Sequence, residues 1–151
     1  MMPTILLKTR IYAPIEKCFD LARNLDLHIE SMKDTEEKVI AGKLAGLIDL
    51  GEQVIWQARH FGLSFKMTNK ITAMKPPFYF VDEMLSGPFK TLHHQHHFTL
   101  ADAYTEMTDI FAFQSPMGIL GRLVDLLFLK RYMHKLLTAR NQVIKSVAER
   151  S

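Results

Sequence analysis

After Gly121 the chain contains no Pro or Gly to its end. Leu120, Leu123, Val124 and Leu127 recur there at helical spacing, and Met133, Leu136, Leu137, Val143, Ile144 and Val147 continue the pattern. Ser115-Pro116-Met117-Gly118 is a stop immediately before it. The spacing predicts one long amphipathic helix ending near Glu149, with about seven or eight turns. Residues 119–129 are apolar almost all round, so the first half of this helix is expected to be covered on most sides. Everything upstream has to supply that cover, and it reads mostly as β-strand.

A first strand is predicted over residues 4–12. Pro14 and Glu16 open a short helix whose apolar face is Ile15, Cys18, Phe19, Leu21 and Ala22. Asp26 is the expected cap of a second short helix over 27–32. Further strands are predicted over 37–41, 52–61, 64–74, 78–85, 89–100 and 104–114. They are separated by Gly62-Leu63, Lys75-Pro76-Pro77, Ser86-Gly87-Pro88 and Ala101-Asp102-Ala103. The last five follow one another through short turns, which makes a meander of antiparallel neighbours. The fold class is therefore α+β: a curved antiparallel sheet, built as β-α-α-β-meander, wrapped around a long C-terminal α-helix.

At 151 residues a single domain spanning 1–151 is expected. The N-terminus lacks the charged start and cleavage site of a signal peptide, and the one cysteine suits a reducing compartment. Both point to the cytoplasm, and Cys18 reads as a small buried hydrophobe. No apolar run reaches the ~20 residues of a bilayer span, because Arg122 and Asp125 interrupt 119–129. The terminal helix is basic: Arg122, Lys130, Arg131, Lys135, Arg140, Lys145 and Arg150 stand against Asp125 and Glu149. This reads as a solvated outer face, with weak contact to a membrane surface as the second option. No nucleic-acid signature accompanies it, and the oligomeric state is not legible.

Alternation sorts the strand over 89–100. Its odd positions, Thr91, His93, Gln95, His97 and Thr99, are polar throughout and face water. Its even positions, Lys90, Leu92, His94, His96, Phe98 and Leu100, carry the apolar residues and face inward. Pairing Phe98 with Met107 across the next turn sets His96 opposite Asp109 and His94 opposite Phe111. Pairing His60 with Phe65 across Gly62 sets Ala58 by Met67 and Trp56 by Asn69. For the strand over 78–85 the parity stays open, with either Phe80, Asp82 and Met84 inward or Val81, Glu83 and Leu85. So many inward polar groups require partners or a cavity, and a cavity with convergent polar groups is a small-molecule site. The candidate ligand-binding residues are Trp56, His60, Met67, Phe80, His94, His96, Phe98, Asp109, Phe111 and Phe113.

Several stretches resemble the START-related helix-grip superfamily, which includes polyketide cyclases, pollen-allergen-like carriers and coenzyme-Q-binding proteins. Ala13-Pro14-Ile15-Glu16-Lys17-Cys18-Phe19 is similar to its way into the first helix, and Gly51-Glu52-Gln53-Val54-Ile55-Trp56 to a strand opening. Gly87-Pro88-Phe89, His94-x-His96-x-Phe98, Thr108-Asp109 and Pro116-x-Gly118 are similar to a bacterial branch. The resemblance implies a helix-grip fold that binds a small hydrophobic molecule, such as a lipid, quinone or polyketide-like compound, between sheet and helix. Two alternatives stand beside binding. One is a cyclase or dehydratase using a His96–Asp109 pair, and the other a quinone or lipid carrier docking at a membrane. No cofactor is assigned. No metal is either, because alternation splits the four clustered histidines and leaves His94 and His96 in need of a third inward ligand such as Asp109.

Overall fold

The computed structural model describes residues 3–116 and 118–150. Met117, within the expected stop, lies outside the described residues, as do the side chains of Arg122 and Asp125, on which the interruption of 119–129 rests. The chain runs β1 (Thr4–Ile11), α1 (Ile15–Ala22), α2 (Leu25–Ser31), a 3-10 turn (Lys33–Thr35) and β2 (Lys38–Gly42). It continues through β3 (Gln53–His60), β4 (Leu63–Lys75), β5 (Tyr79–Ser86), β6 (Thr91–Leu100) and β7 (Thr105–Gln114). The C-terminal helix follows as α3 (Gly118–Val124), a π-helical stretch (Asp125–Leu129) and α4 (Lys130–Ala148). The seven strands form one antiparallel sheet in the order β1-β7-β6-β5-β4-β3-β2. The five-strand meander is present as expected, and β1 and β2 extend its two ends.

Register decides which side chains share the concave face. In β6 and β7, Phe98 pairs with Met107, His96 with Asp109 and His94 with Phe111, as alternation predicts. In β3 and β4 the expected pairs are two residues out: His60 faces Leu63, Ala58 faces Phe65 and Trp56 faces Met67. The reason is a two-residue hairpin loop in which Phe61 and Gly62 both take positive φ, 55° and 75°. A slip of two preserves parity, so Trp56 and Met67 keep their side of the sheet. The ambiguity in β5 is resolved by pairing Phe80 with His96 and Asp82 with His94, which turns Phe80, Asp82 and Met84 inward.

Asn24, not Asp26, caps α2: its Oδ1 accepts the Leu27 backbone N–H at 3.0 Å. The helix therefore starts two residues earlier than expected, while Asp26 accepts instead from the Gly46 N–H. Cys18 is fully buried, as expected.

Two apolar clusters hold the elements together. The larger joins α1 and α2 to Trp56, Ile71, Phe80, Phe98, Met107 and Ile144. The smaller joins Ile5, Leu92, Phe111, Phe113 and Leu137. The expected burial of the first half of the C-terminal helix is not found. Ile119 is 85% exposed, and Leu120, Leu123, Leu127 and Phe128 are each more than half exposed. The concavity is entered chiefly by α4, through Leu137, Arg140, Asn141, Ile144 and Ala148, with Leu129 lining the cavity just before it. The apolar character of 119–129 therefore lies largely on the outside. No helix among the described residues is long and apolar enough to cross a membrane.

Candidate functional site

The concave face of the sheet, α2 and α4 enclose a cavity of about 340 Å3. This is near the lower end of the range for small-molecule pockets, roughly 300–1,000 Å3. Trp56, Met67, Phe80 and Phe111 give it apolar walls, and Leu92 and Leu137 line it between strands and helix. His60 also lines it and bonds through Nδ1 to the Tyr132 hydroxyl at 2.6 Å. Phe61 packs against Tyr132 and Phe128 at the same end, with ring centroids 4.6 and 5.2 Å apart.

Three residues expected in the lining stand behind it. Phe98 is wedged against the rings of Phe19 and Phe80, and Phe113 is sealed against Phe89. Asp109 lies beneath the two histidines with no exposure at all. Each is buried among its neighbours and does not reach the void. Alternation reports the face of a side chain and not its depth.

The polar end of the cavity is built on β5, β6 and β7. His94 and His96 project from alternate positions of β6, and their rings stack with centroids 3.7 Å apart. Phe80 stacks on the other face of His96 at 4.1 Å. Although His96 lies opposite Asp109 on the backbone, the short contact is made by His94. His94 Nε2 donates to Asp109 Oδ1 at 2.8 Å, whereas His96 Nδ1 stands 3.4 Å from the same oxygen. His96 Nε2 is instead 2.8 Å from Asp82 Oδ2, and His94 Nδ1 is 3.8 Å from that oxygen.

Behind this layer, Arg140 and Asn141 come in from α4. Asn141 Nδ2 donates to Asp109 Oδ2 at 2.7 Å and reaches Thr9 Oγ1 at 3.2 Å. Arg140 Nη1 reaches Asn141 Oδ1 at 2.9 Å and Asp109 Oδ1 at 3.4 Å, while Nη2 donates to the Ala22 carbonyl. Arg140, counted above as part of a solvated basic face, is 4% exposed. Helical spacing carries the missed signal, because position 140 falls on the same stripe as Leu137 and Ile144. Lys130, Arg131 and Lys135 do lie exposed on the outer side.

Burial drives the His94 imidazole down to about 4, and the neighbouring His96 pushes the same way. Asp109 and Asp82 oppose that shift without reversing it, so His94 is neutral at neutral pH. Burial alone would raise Asp109. Hydrogen bonds from His94 and His96, with the charge of Arg140, outweigh it and hold the carboxyl well below the usual range. Asp82 is lowered in the same way: burial opposes, and the bond from His96 leads the influences that win. The chamber thus holds two carboxylates, one guanidinium and neutral imidazole in an otherwise apolar surround. Asn69 lines the cavity nearby and donates weakly to Asp82 Oδ1 at 3.4 Å. Its own Oδ1 is buried with no hydrogen-bond partner.

No protein-family model matches the sequence, and no curated protein does. Solved structures match along nearly the whole chain. The protein TTHA0849 from Thermus thermophilus aligns with a TM-score of 0.74 at 16% identity, covering 97% of this chain and 100% of its own. A START superfamily protein from Mycobacterium smegmatis aligns at 0.72 and 11% identity, covering 97% of each chain. The major latex-like protein 151 of Panax ginseng aligns at 0.71 and 13% identity, covering 99% of each. At such identities the likeness lies in the backbone, which matches along nearly the whole chain. The chain has the START-type helix-grip fold.

Proposed function

We propose that this chain binds a small, largely apolar molecule in the cavity between the sheet and α4, with Asp82, His94 and His96 receiving its polar end. One observation carries the reading. The walls of the cavity are mostly apolar, and Asp82, His94, His96 and Arg140 converge on one part of it, beside Asn69, whose buried Oδ1 has no partner. A buried acceptor without a partner costs about 1–3 kcal/mol, which a ligand N–H or O–H returns on binding. Trp56, His60, Met67, Phe80 and Phe111 form the apolar contact surface in this reading. Asp109 acts by fixing the His94 ring.

The test uses Trp56, the one tryptophan of the chain, which lines the cavity. Its emission is followed while quinones, fatty acids and aromatic polyketides are titrated in, and freshly purified protein is weighed by native mass spectrometry. Saturable quenching by one class is expected. It should be lost in Ala58→Phe, which fills the cavity at a stability cost of about 1–3 kcal/mol. No quenching by any class, with no retained mass, would sink the reading. Turnover of cyclase or dehydratase type would rest on His94, so a reaction that stops in His94→Gln while quenching persists would convert binding into catalysis.

A second reading concerns where the ligand is exchanged. The exposed Ile119, Leu120, Leu123, Leu127 and Phe128 adjoin the exposed cations Lys130 and Arg131, next to the cavity end closed by Phe61 and Tyr132. Apolar side chains flanked by cations suit the surface of an anionic bilayer, where each basic residue contributes about 1 kcal/mol. Binding to phosphatidylserine vesicles is expected, weakened by salt and by Lys130→Glu with Arg131→Glu. Equal binding to phosphatidylcholine vesicles, insensitive to salt, would argue against it.

A further inference from the structure

Asp82, His94 and His96 each offer a ligand atom, and the three atoms lie within 4.8 Å of one another. We propose that these three side chains form a binding site for a divalent first-row transition metal at the polar end of the cavity. The third ligand that the two histidines lacked in sequence is Asp82, not Asp109. It reaches them because β5 pairs Asp82 directly with His94.

The arrangement behind the ligands is what a metal site needs. Asp109 Oδ1 stands 2.8 Å from His94 Nε2 and 3.4 Å from His96 Nδ1, so one buried carboxylate can accept an N–H from both rings. The two remaining nitrogens, His94 Nδ1 and His96 Nε2, then present lone pairs toward Asp82 Oδ2, at 3.8 and 2.8 Å. A carboxylate behind a ligating imidazole fixes its tautomer and raises its basicity. In the metal-free chain His96 Nε2–H donates to Asp82. His96 Nδ1 meanwhile faces an Arg140 N–H at 3.4 Å; on loading, the proton moves from Nε2 to Nδ1 and turns to Asp109 while Arg140 Nη2 keeps the Ala22 carbonyl, so the step conserves protons.

Two further observations point the same way. Asp82 makes no ion pair with any Lys or Arg among the described residues; Arg140 is in contact with Asp109 instead. A half-buried carboxylate that no guanidinium or ammonium touches is one whose charge a divalent ion can balance. Asn69 Oδ1 is the second: it is buried beside Asp82 and lacks a donor. Three protein ligands leave an open position on the metal, and a water held there supplies one. Two imidazoles with one carboxylate favour Zn2+, Fe2+ or Co2+ over Mg2+, which prefers an all-oxygen shell. The site shares the cavity assigned above to an organic molecule but does not rest on it, since the metal is tested with no organic ligand present.

Outward histidines must be removed first, because His93 and His97 lie on the opposite face of the sheet, with Glu83 3.2 Å from His93. Protein carrying His93→Gln and His97→Gln is stripped with a chelator and titrated calorimetrically with Zn2+ and then Mg2+. One Zn2+ per chain and no Mg2+ is expected. Adding Asp82→Asn should weaken Zn2+ by more than the roughly 10–100-fold that losing an outer-shell partner costs. Circular dichroism confirms that the variant is folded. A readout without substitution in the site follows the imidazole 15N resonances, where Zn2+ should move His94 Nδ1 and His96 Nε2. Absence of a stoichiometric site, unchanged affinity in folded Asp82→Asn, or unmoved ring resonances would each overturn the proposal, and none of these would touch the tryptophan titration.

Discussion

Asp109 is the residue on which the interior turns. It is fully buried and ionised, and it accepts from His94 and Asn141 while facing Arg140. Removing one partner of such a group leaves charge uncompensated, so Arg140→Met is expected to cost about 3–5 kcal/mol, read from urea unfolding. His94 adds a pH dependence in the metal-free protein. Its folded value of about 4 lies below the ordinary 6.5, so between those limits the unfolded chain binds a proton that the native chain does not. Stability then rises with pH across that window and is lost on acidification through it, by on the order of 3 kcal/mol. Asp82 and Asp109, also lowered, add their loss below the window. The urea midpoint should fall from neutral pH toward pH ~4, and less steeply in His94→Gln. Alternation made His94 and His96 legible, because every odd neighbour on their strand is polar. Asp82 was not legible, since both parities of its strand carry apolar side chains. Arg140 was counted by its charge and not by its place on the helical stripe.

At the scale of elements, most boundaries were legible from punctuation, and so was the β6–β7 register across the short turn over 101–104. The β3–β4 register was not, because a tight turn through Phe61 needs a positive φ at a non-glycine residue, which composition does not announce. The C-terminal helix was legible as a helix but not in its environment. A run that is apolar on all sides reads as core, yet here Ile119, Leu120, Leu123, Leu127 and Phe128 stand exposed and α4 fills the concavity. The two halves are therefore expected to respond differently to substitution. Leu137→Ala removes a buried side chain between α4 and the sheet and should cost about 2–5 kcal/mol. Leu127→Ser, at an exposed position, should stay within about 0.5 kcal/mol. Chemical denaturation of both variants checks the contrast.

Across the whole molecule, the two apolar clusters meet at the layer formed by Thr9, Asp82, His94, His96, Asp109, Arg140 and Asn141. Hydrogen bonds in that layer join β1, β5, β6, β7, the end of α1 and α4. This belt gives the fold a polar seam where most domains of its size have continuous hydrocarbon. It also separates a tied region from a loosely covered one, a contrast that deuterium uptake would register amide by amide. Backbone hydrogens of β6 and β7 should be replaced only when the whole chain opens. Those in the turns from Gly118 to Leu129, where Ile119, Leu120, Leu123, Leu127 and Phe128 stand exposed, should be replaced long before. The molecule would then keep two clocks, a slow one set by the seam and a fast one set by the helix that precedes it.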